Sequence, residues 1–380
     1  MELDEIREKI DEIDDSMVSL YERRMMLAKE VALYKKKNGS PLENPQREKE
    51  IINRVTEDLE DDIKLYAKQF FETLFETSKA YQSGYLELKS DLLIDIKEKI
   101  RKGILKFPVN ANVACQGAEG SYSNMAADKV FPINNIMYFK DFEGVFGAIE
   151  KKFCQFGVLP IENSSVGSIN EVYDLMRKHK FYIVRSIKLH VKHNLLAKRG
   201  VELKDIKEIF SHEQAIAQSA IFLKTLKDVK VTVVSNTAVA AKIVRDSERR
   251  DIACISSKEC AELYGLSVIK QYIQDKDNNY TRFIVIAPEL QIYEKAEKIS
   301  IFVHLPHRAG SLNKMLNKFA TLGLNLTKLE SRPIPDSVFE FGFYFDFDAE
   351  IEDKVVQNLL AELDINTEQF VFLGCYREID

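Results

Sequence analysis

Leu3, Ile6, Ile10, Ile13, Met17, Leu20, Leu27, Val31 and Tyr34 recur at spacings built mostly from three and four, with no Pro or Gly before Gly39. That period predicts one amphipathic helix of about 35 residues, roughly 50 Å long at 1.5 Å per residue. Two more helices are expected, about Gln46–Leu59 with Ile51, Ile52 and Val55, and about Asp62–Lys89 with Ile63, Ala67, Phe70, Leu74, Tyr81 and Leu88. So short a segment cannot cover so long a helix by itself, which predicts a dimer with interlocked helices. Ile100–Pro108, loosened by Gly103, reads as a linker.

Beyond it the period changes. Short apolar runs alternate with helical stretches, giving strands at Asn112–Cys115, Phe156–Ile161, Phe181–Ile187, Leu195–Ala197, Ile209–Phe210, Val231–Val234, Asp251–Ile255 and Phe283–Ile286. Helices are expected after Gly117–Ser123, from an Asp141 cap to Ile149, and at Glu213–Leu226, Thr237–Asp246 and Lys258–Tyr264. This alternation predicts two α/β lobes with a ligand at strand C-termini, in the cleft between them. After Tyr293–Glu297 the order is strand (Lys298–His304), helix (Ser311–Leu322), strand (Leu326–Arg332), strand (Glu340–Phe347), helix (Glu352–Leu363) and strand (Gln369–Cys375). That is a βαββαβ, ferredoxin-like unit, with Phe341, Phe343, Phe345 and Phe347 along one face. The expected fold is therefore multidomain: an all-α dimerising segment over 1–92, a two-lobed α/β domain over 105–287 and the ferredoxin-like unit over 297–380.

Composition narrows the partners. A net charge of −6 and a pI near 5.7 argue against nucleic acid or an anionic membrane as the main partner. No apolar run approaches membrane-spanning length, and the acidic, amphipathic start MELDEIREKIDEIDD is unlike a secretory signal. Cys115, Cys154, Cys254, Cys260 and Cys375 are scattered without a CxxC pair, which points to a reducing cytoplasm. His190 and His193 fall on opposite faces of a strand, so no metal site is read there; no cofactor is expected either.

The polar residues on or beside the apolar helical stripes carry the candidate chemistry. Arg24 sits between Leu20 and Leu27, Lys35 follows three turns later, Glu48 precedes Ile51 and Ile52, and Ser78 and Gln82 are one turn apart. They read either as structural salt bridges or as a site in which an anion meets buried cations. The set resembles the active site of the all-helical chorismate mutases, through IREKI around Arg7, ERR ending at Arg24, Lys35, QREKE around Arg47 and Glu48, and ETSKAYQ with Ser78 and Gln82. The resemblance implies that Arg7 of a partner subunit, Arg24 and Arg47 bind substrate carboxylates. It also implies that Lys35 and Gln82 hydrogen-bond the ether oxygen and that Glu48 takes the ring hydroxyl, with Ser78 beside them. Such a rearrangement needs no nucleophile; fixed donors stabilise negative charge on the breaking C–O bond. Asn44 departs from the Asp of many relatives, which implies a weakened rather than a dead site.

Asp277–Ile286, DNNYTRFIVI, joins polar turn chemistry to a buried strand and places Thr281 and Arg282 at its mouth. These two read either as a solvated pair or as a binding pair on a stiff strand. In the order GAEGSYS, IENSSVGS, FSHEQAIAQ, SNTAVAA and NYTRF, five polar loops resemble prephenate dehydratase over this whole region. The resemblance implies that Thr281 assists departure of the C4 hydroxyl and that Arg282 belongs to the same motif. Glu162, Asn163, Ser211 and Gln218 would line the cleft, and His212 would be structural or functional. Arg308–Leu312 and Glu330–Pro333 resemble the ACT domain of such dehydratases, with Ser311 for the usual Ala and Asn313 for the usual Val. Phenylalanine bound as a feedback inhibitor is implied there, with Gly310, Ser311, Leu312, Glu330, Ser331, Arg332 and Pro333 as its contacts.

The leading expectation is a cytoplasmic, homodimeric or larger bifunctional enzyme acting on chorismate and then prephenate, without nucleic-acid or membrane partners. Two alternatives stand beside it. The helical segment could serve only as a dimerisation arm, or the chain could be a non-enzymatic sensor, since two α/β lobes resemble solute-binding proteins.

Overall fold

The structure, a computed structural model, describes residues 2–86, 88, 90–334 and 340–380. Its helical start comprises α1 (Leu3–Asn38), α2 (Pro45–Thr56), α3 (Asp61–Ser83) and α4 (Asp91–Lys102). Next come β1 (Asn110–Gln116), α5 (Tyr122–Val130), β2 (Ile133–Phe139), α6 (Phe142–Glu150), β3 (Phe156–Asn163), β4 (Gly167–Ser168), α7 (Asn170–His179) and β5 (Tyr182–His190). The second lobe holds β6 (Asn194–Ala197), β7 (Glu208–Ser211), α8 (Glu213–Ala217), α9 (Ala220–Lys224), β8 (Lys230–Val233), α10 (Thr237–Asp246), β9 (Ile252–Ser256), α11 (Lys258–Tyr264) and β10 (Ser267–Lys270). The chain continues through β11 (Tyr280–Ala287), β12 (Lys298–His304), α12 (Ser311–Thr321), β13 (Asn325–Pro333), β14 (Phe341–Asp348), α13 (Lys354–Asn366) and β15 (Phe370–Ile379).

Two compact units result: residues up to Glu98 with Ile301–Phe370, and Lys99–Ser300 with Val371–Asp380. In the first, α1 runs unbroken for 36 residues and stops at Gly39, whose φ of +65° suits a residue without a Cβ. The face it turns to α3 is not the apolar row. Ala28 and Ala32 are its buried residues, while Leu3, Ile6, Ile10, Ile13, Met17, Leu20, Leu27, Val31 and Tyr34 stay 40–68% exposed. The third helix ends at Ser83 rather than at Lys89, which lies outside the described residues. The linker expected over Ile100–Pro108 is helical only at its start: α4 runs on to Lys102, with Leu93 and Ile96 buried, and begins where Ser90 Oγ accepts the Leu93 N–H at 3.2 Å. In the same unit β13 pairs with β14, Phe319 of α12 packs on Phe345 and Phe347, and α12 packs against α3. Gly342 is obligatory, since a Cβ there would lie 2.2 Å from the Phe302 ring.

The second unit has two sheets. One runs β15-β5-β11-β3-β1-β2 with β4 on β3; the other runs β10-β6-β9-β7-β8. β11 lies antiparallel between β3 and β5, and Phe283–Ala287 are all buried. At the β3–β11 pair the register shifts: Arg282 faces Glu162 but Phe283 faces Pro160, so Ile161 is a bulge residue. Elements of this unit that escape the sequence pattern include β2, β4, α7 and β10. The helix expected over Glu213–Leu226 is broken into α8 and α9, because the Asp275 carboxylate takes the N–H groups of Ala220 (3.1 Å) and Ile221 (3.0 Å) and starts the chain afresh. No helix among the described residues is long and apolar enough to cross a membrane.

Candidate functional site

Each unit holds a polar pocket. In the helical one, Arg24 and Lys35 flank the alanine face of α1, where α3 comes close. Arg24 Nη1 donates to Ser78 Oγ at 2.8 Å, with its guanidinium 5.9 Å from the Phe75 ring centroid. Lys35 Nζ donates to Leu42 O at 2.6 Å and to Gln82 Oε1 at 3.3 Å, so Gln82 keeps its NH2 for a ligand. Burial lowers the pKa of Arg24 and of Lys35; Glu48 opposes the fall at Lys35 and Lys79 adds to it. Glu48 itself receives Lys79 Nζ at 3.3 Å.

Three expected members stand apart within one chain. Asn44 is the N-cap of α2, accepting the Arg47 N–H at 3.0 Å, so its side chain is committed to the turn. Arg47 is exposed and pairs with Glu50 at 3.1 Å. Arg7 is exposed beside Asp4, and at 1.5 Å per residue it lies roughly 25 Å along α1 from Arg24.

The second pocket is a cleft of about 390 Å³ whose wall includes Ser121, Asn163, His193, Gln218, Asn236 and Thr281. Its hydrogen bonds run in one direction. Asn163 Oδ1 accepts the N–H groups of Ser165 (2.9 Å) and Val166 (3.1 Å), which fixes the amide's orientation. Its Nδ2 must then donate, and does so to Thr281 Oγ1 at 2.9 Å and Asn279 Oδ1 at 2.8 Å. Thr281 accepts that bond and retains its own O–H for the cleft. Asn279 Nδ2 in turn donates to Gln218 Oε1 at 2.9 Å, where His193 Nε2 also arrives at 2.9 Å. Gln218 thus turns its NH2 outward, and His193 carries its proton on Nε2. Burial lowers the pKa of His193, with the hydrogen bond to Gln218 opposing. His212 lines the cleft and also caps α8, its Nδ1 accepting the Gln214 N–H at 3.3 Å.

Thr281 and Arg282 are both only 9% exposed, which rules out the solvated reading. They face opposite ways, however. Arg282 and its ladder partner Glu162 point to the side of the sheet away from Thr281 and Asn163, so neither supplies the expected cleft wall. Behind the strand Arg282 Nε meets Glu378 Oε2 at 2.8 Å, and Arg282 Nη2 donates to Tyr376 Oη at 2.6 Å. Glu162 lies 3.9 Å away. Lys188 (2.7 Å) and Lys298 (3.9 Å) complete the cluster on Glu378. Burial would raise the Glu378 pKa, but Arg282, Lys188 and Lys298 together hold it below its ordinary value. Ser211 is fully buried, its Oγ donating to Ile255 O at 2.8 Å, and serves the sheet rather than the cleft wall.

Near the expected effector loop a cavity of about 350 Å³ is lined by residues including Arg308, Ser311, Leu312, Phe341 and Phe343. Gly310 caps α12 with φ +86°. Glu330, Ser331, Arg332 and Pro333 lie on β13, outside that lining; Ser331 is the ladder partner of Phe343. Sequence reasoning passed over Tyr376 and Glu378, weighed His193 only for a metal site, and held Lys79 and Asn279 only as parts of the ETSKAYQ and NYTRF motifs.

A helical pocket holding two cations, an α/β cleft with an oriented hydroxyl, and a βαββαβ segment define a multidomain enzyme of small anionic substrates. Family models match in the same order: Chorismate mutase type II over residues 6–83, Prephenate dehydratase over 113–291 and ACT domain over 299–366. The arogenate dehydratase/prephenate dehydratase 2, chloroplastic, of Arabidopsis thaliana is 38% identical over 275 residues, 70% of this chain and 72% of its own. The bifunctional chorismate mutase/prephenate dehydratase of Aquifex aeolicus is 29% identical over 377 residues, 99% of this chain and 98% of its own. The crystal structure of prephenate dehydratase in complex with L-Phe from Arthrobacter aurescens superposes with a TM-score of 0.63 at 27% identity, covering 70% of this chain and 89% of that one. The chain belongs to the family of bifunctional chorismate mutase/prephenate dehydratases.

Proposed function

We propose that the two reactions of this family are divided between the two pockets, with the residues in the following roles. In the helical pocket chorismate rearranges to prephenate. Arg24, held by Ser78, takes a carboxylate. Lys35 and the outward NH2 of Gln82 donate to the ether oxygen as the C–O bond breaks, and Glu48 holds the ring hydroxyl. Arg7, remote in one chain, reaches substrate only across a dimer, and Arg47 must turn from Glu50 to reach it. The exposed apolar row of α1 supports that assembly: a second copy of α1 is the complementary surface of matching length.

In the cleft prephenate loses carbon dioxide and hydroxide together and becomes phenylpyruvate. The observation that carries this reading is the donor sense of Thr281, whose O–H is left to protonate or solvate the departing hydroxyl. The first turns of α5 and α10, at Ser121 and Asn236, present amide N–H groups to the substrate carboxylates. No Asp or Glu lines the cleft among the described residues, which favours a keto acid over the ammonium-bearing arogenate. Phenylalanine is the effector proposed for the cavity beside Ser311 and Leu312, acting as a feedback inhibitor.

The test is a time course from chorismate. Wild type should form prephenate transiently and then phenylpyruvate. Lys35→Ala should abolish the first step and leave conversion of added prephenate intact; Thr281→Ala should do the reverse. Thr281→Ala with near-normal phenylpyruvate formation would remove that hydroxyl from the mechanism.

A further inference from the structure

Lys79 carries a charge that the proposed rearrangement does not use, yet it pairs with a carboxylate of the proposed site. Its side chain is 9% exposed and its ammonium meets Glu76 at 2.7 Å, Glu48 at 3.3 Å and Glu43 at 3.7 Å. Of these, Glu48 is the carboxylate assigned to the substrate hydroxyl. Glu76 and Glu43 are also shared with a second, half-buried cation, Lys318 of α12, at 3.7 and 3.9 Å. Lys318 makes its tightest contact with Glu362 of α13. The four groups Glu76, Lys79, Lys318 and Glu362 wall a crevice of about 70 Å³ between α3 and the two ACT helices.

We propose that Lys79 is a positioning residue for the chorismate rearrangement, and that Lys318 of the ACT helix α12 sets its position through the shared Glu76. The charges make the arrangement interdependent. Glu43, Glu48, Glu76 and Glu362 bring four carboxylates to two ammonium groups, so neither lysine can leave without stranding an anion inside the unit. Lys79 is anchored by Glu76 on its own helix, one turn back, and that anchor is itself fixed from α12. What Lys318 holds in place is therefore the orientation of Glu48, three ion pairs away through Glu76 and Lys79. The ACT helix α12 packs against α3, the helix that carries Lys79. This inference rests on the helical pocket being the mutase site.

The experiment compares Lys79→Met, Lys79→Arg and the double variant Lys318→Met/Glu362→Leu in the full-length chain, with kcat and KM for chorismate and kcat for added prephenate. Replacing the Lys318–Glu362 pair by two apolar residues removes one charge of each sign, so the excess of two carboxylates is unchanged and Glu43 and Glu76 keep Lys79 as their partner. Lys79→Met should lower mutase kcat by about 10- to 100-fold with KM changed by less than about three-fold, since Glu48 is misplaced rather than removed. Lys79→Arg should recover most of that loss. The double variant should lower mutase kcat by about 3- to 10-fold and leave prephenate turnover at the wild-type rate. Wild-type mutase kinetics in Lys79→Met would overturn the positioning role, and wild-type mutase kinetics in the double variant would overturn the link to α12. Should Lys79→Met not fold, failure of Lys79→Arg to sustain kcat above that of a Lys79→Gln variant overturns the first part. A wild-type chain without mutase activity would instead bring down the assignment of the pocket, and this proposal with it.

Discussion

Asn163→Asp should damage dehydration more than Asn163→Ala, although Asp is nearly isosteric. The oxygen that accepts the Ser165 and Val166 N–H groups survives in Asp, so the IENSS turn is kept. The two bonds that Nδ2 donates do not survive. At 2.9 Å from what becomes a carboxylate oxygen, Thr281 must turn its O–H towards that new anion and so withdraw it from the departing hydroxyl. Removing one oriented donor from a developing anion costs about 2.7–4 kcal/mol, or about 100- to 1,000-fold in kcat. Asn163→Ala merely loosens Thr281, whose O–H stays available. At about 0.5–1.5 kcal/mol for one neutral hydrogen bond, its kcat should fall roughly 2- to 13-fold. Phenylpyruvate release from prephenate gives both values, with mutase turnover by the same preparations as the check that the chain is folded. An Asp variant as active as the Ala variant, or more so, would show that the direction of the Asn163–Thr281 bond has no part in the chemistry.

Two further outcomes are expected. Glu378→Gln should destabilise the second unit by about 3 kcal/mol, because Arg282 and Lys298 lose a buried counter-charge. The folded-state pKa of Glu378 lies below its ordinary 4.5, so its contribution is complete above that value and is lost as pH falls through the lower folded value. Thermal melts of Glu378→Gln should therefore approach wild type as pH drops from about 5 towards 3; parallel curves at all pH values would contradict the cluster's role. Ile13→Glu, in the middle of the exposed row of α1, should convert a dimer to monomer in sedimentation and abolish mutase turnover while sparing prephenate turnover. An unchanged sedimentation coefficient would mean that this face is not the interface.

The outline of the fold was legible because its periods are strong. The spacing of mostly three and four meets no Pro or Gly before Gly39, and α1 ends there. Phe283–Ile286 reads as a buried strand and is one. What the pattern could not contain is set from a distance. The break between α8 and α9 depends on Asp275, 55 residues from Ala220 in sequence. Thr281 was a visible candidate, but which way its hydrogen bond runs is decided by two amides of the IENSS turn on another strand. Lys79 and Glu378 look like ordinary solvated charges in the sequence; α12 and β11 bury them. Arg282 shows the opposite failure. Adjacent motif residues invite a shared role, yet a strand turns neighbours to opposite faces, and Arg282 serves the scaffold behind the cleft.

That scaffold has a consequence for how the protein is made. Ser186 of β5 and Glu378 of β15, which are hydrogen-bonded at 3.1 Å, stand 192 residues apart in the chain. At roughly 5–20 residues per second, a ribosome needs about 10–40 s to pass from one to the other. For that interval every residue lining the dehydratase cleft has been, or is being, synthesised, but β5 lacks its parallel neighbour and Arg282 lacks both Glu378 and Tyr376. The lobe that carries Thr281 is thus completed only after translation of the ACT segment, so the catalytic half of the enzyme cannot mature ahead of the segment proposed to restrain it.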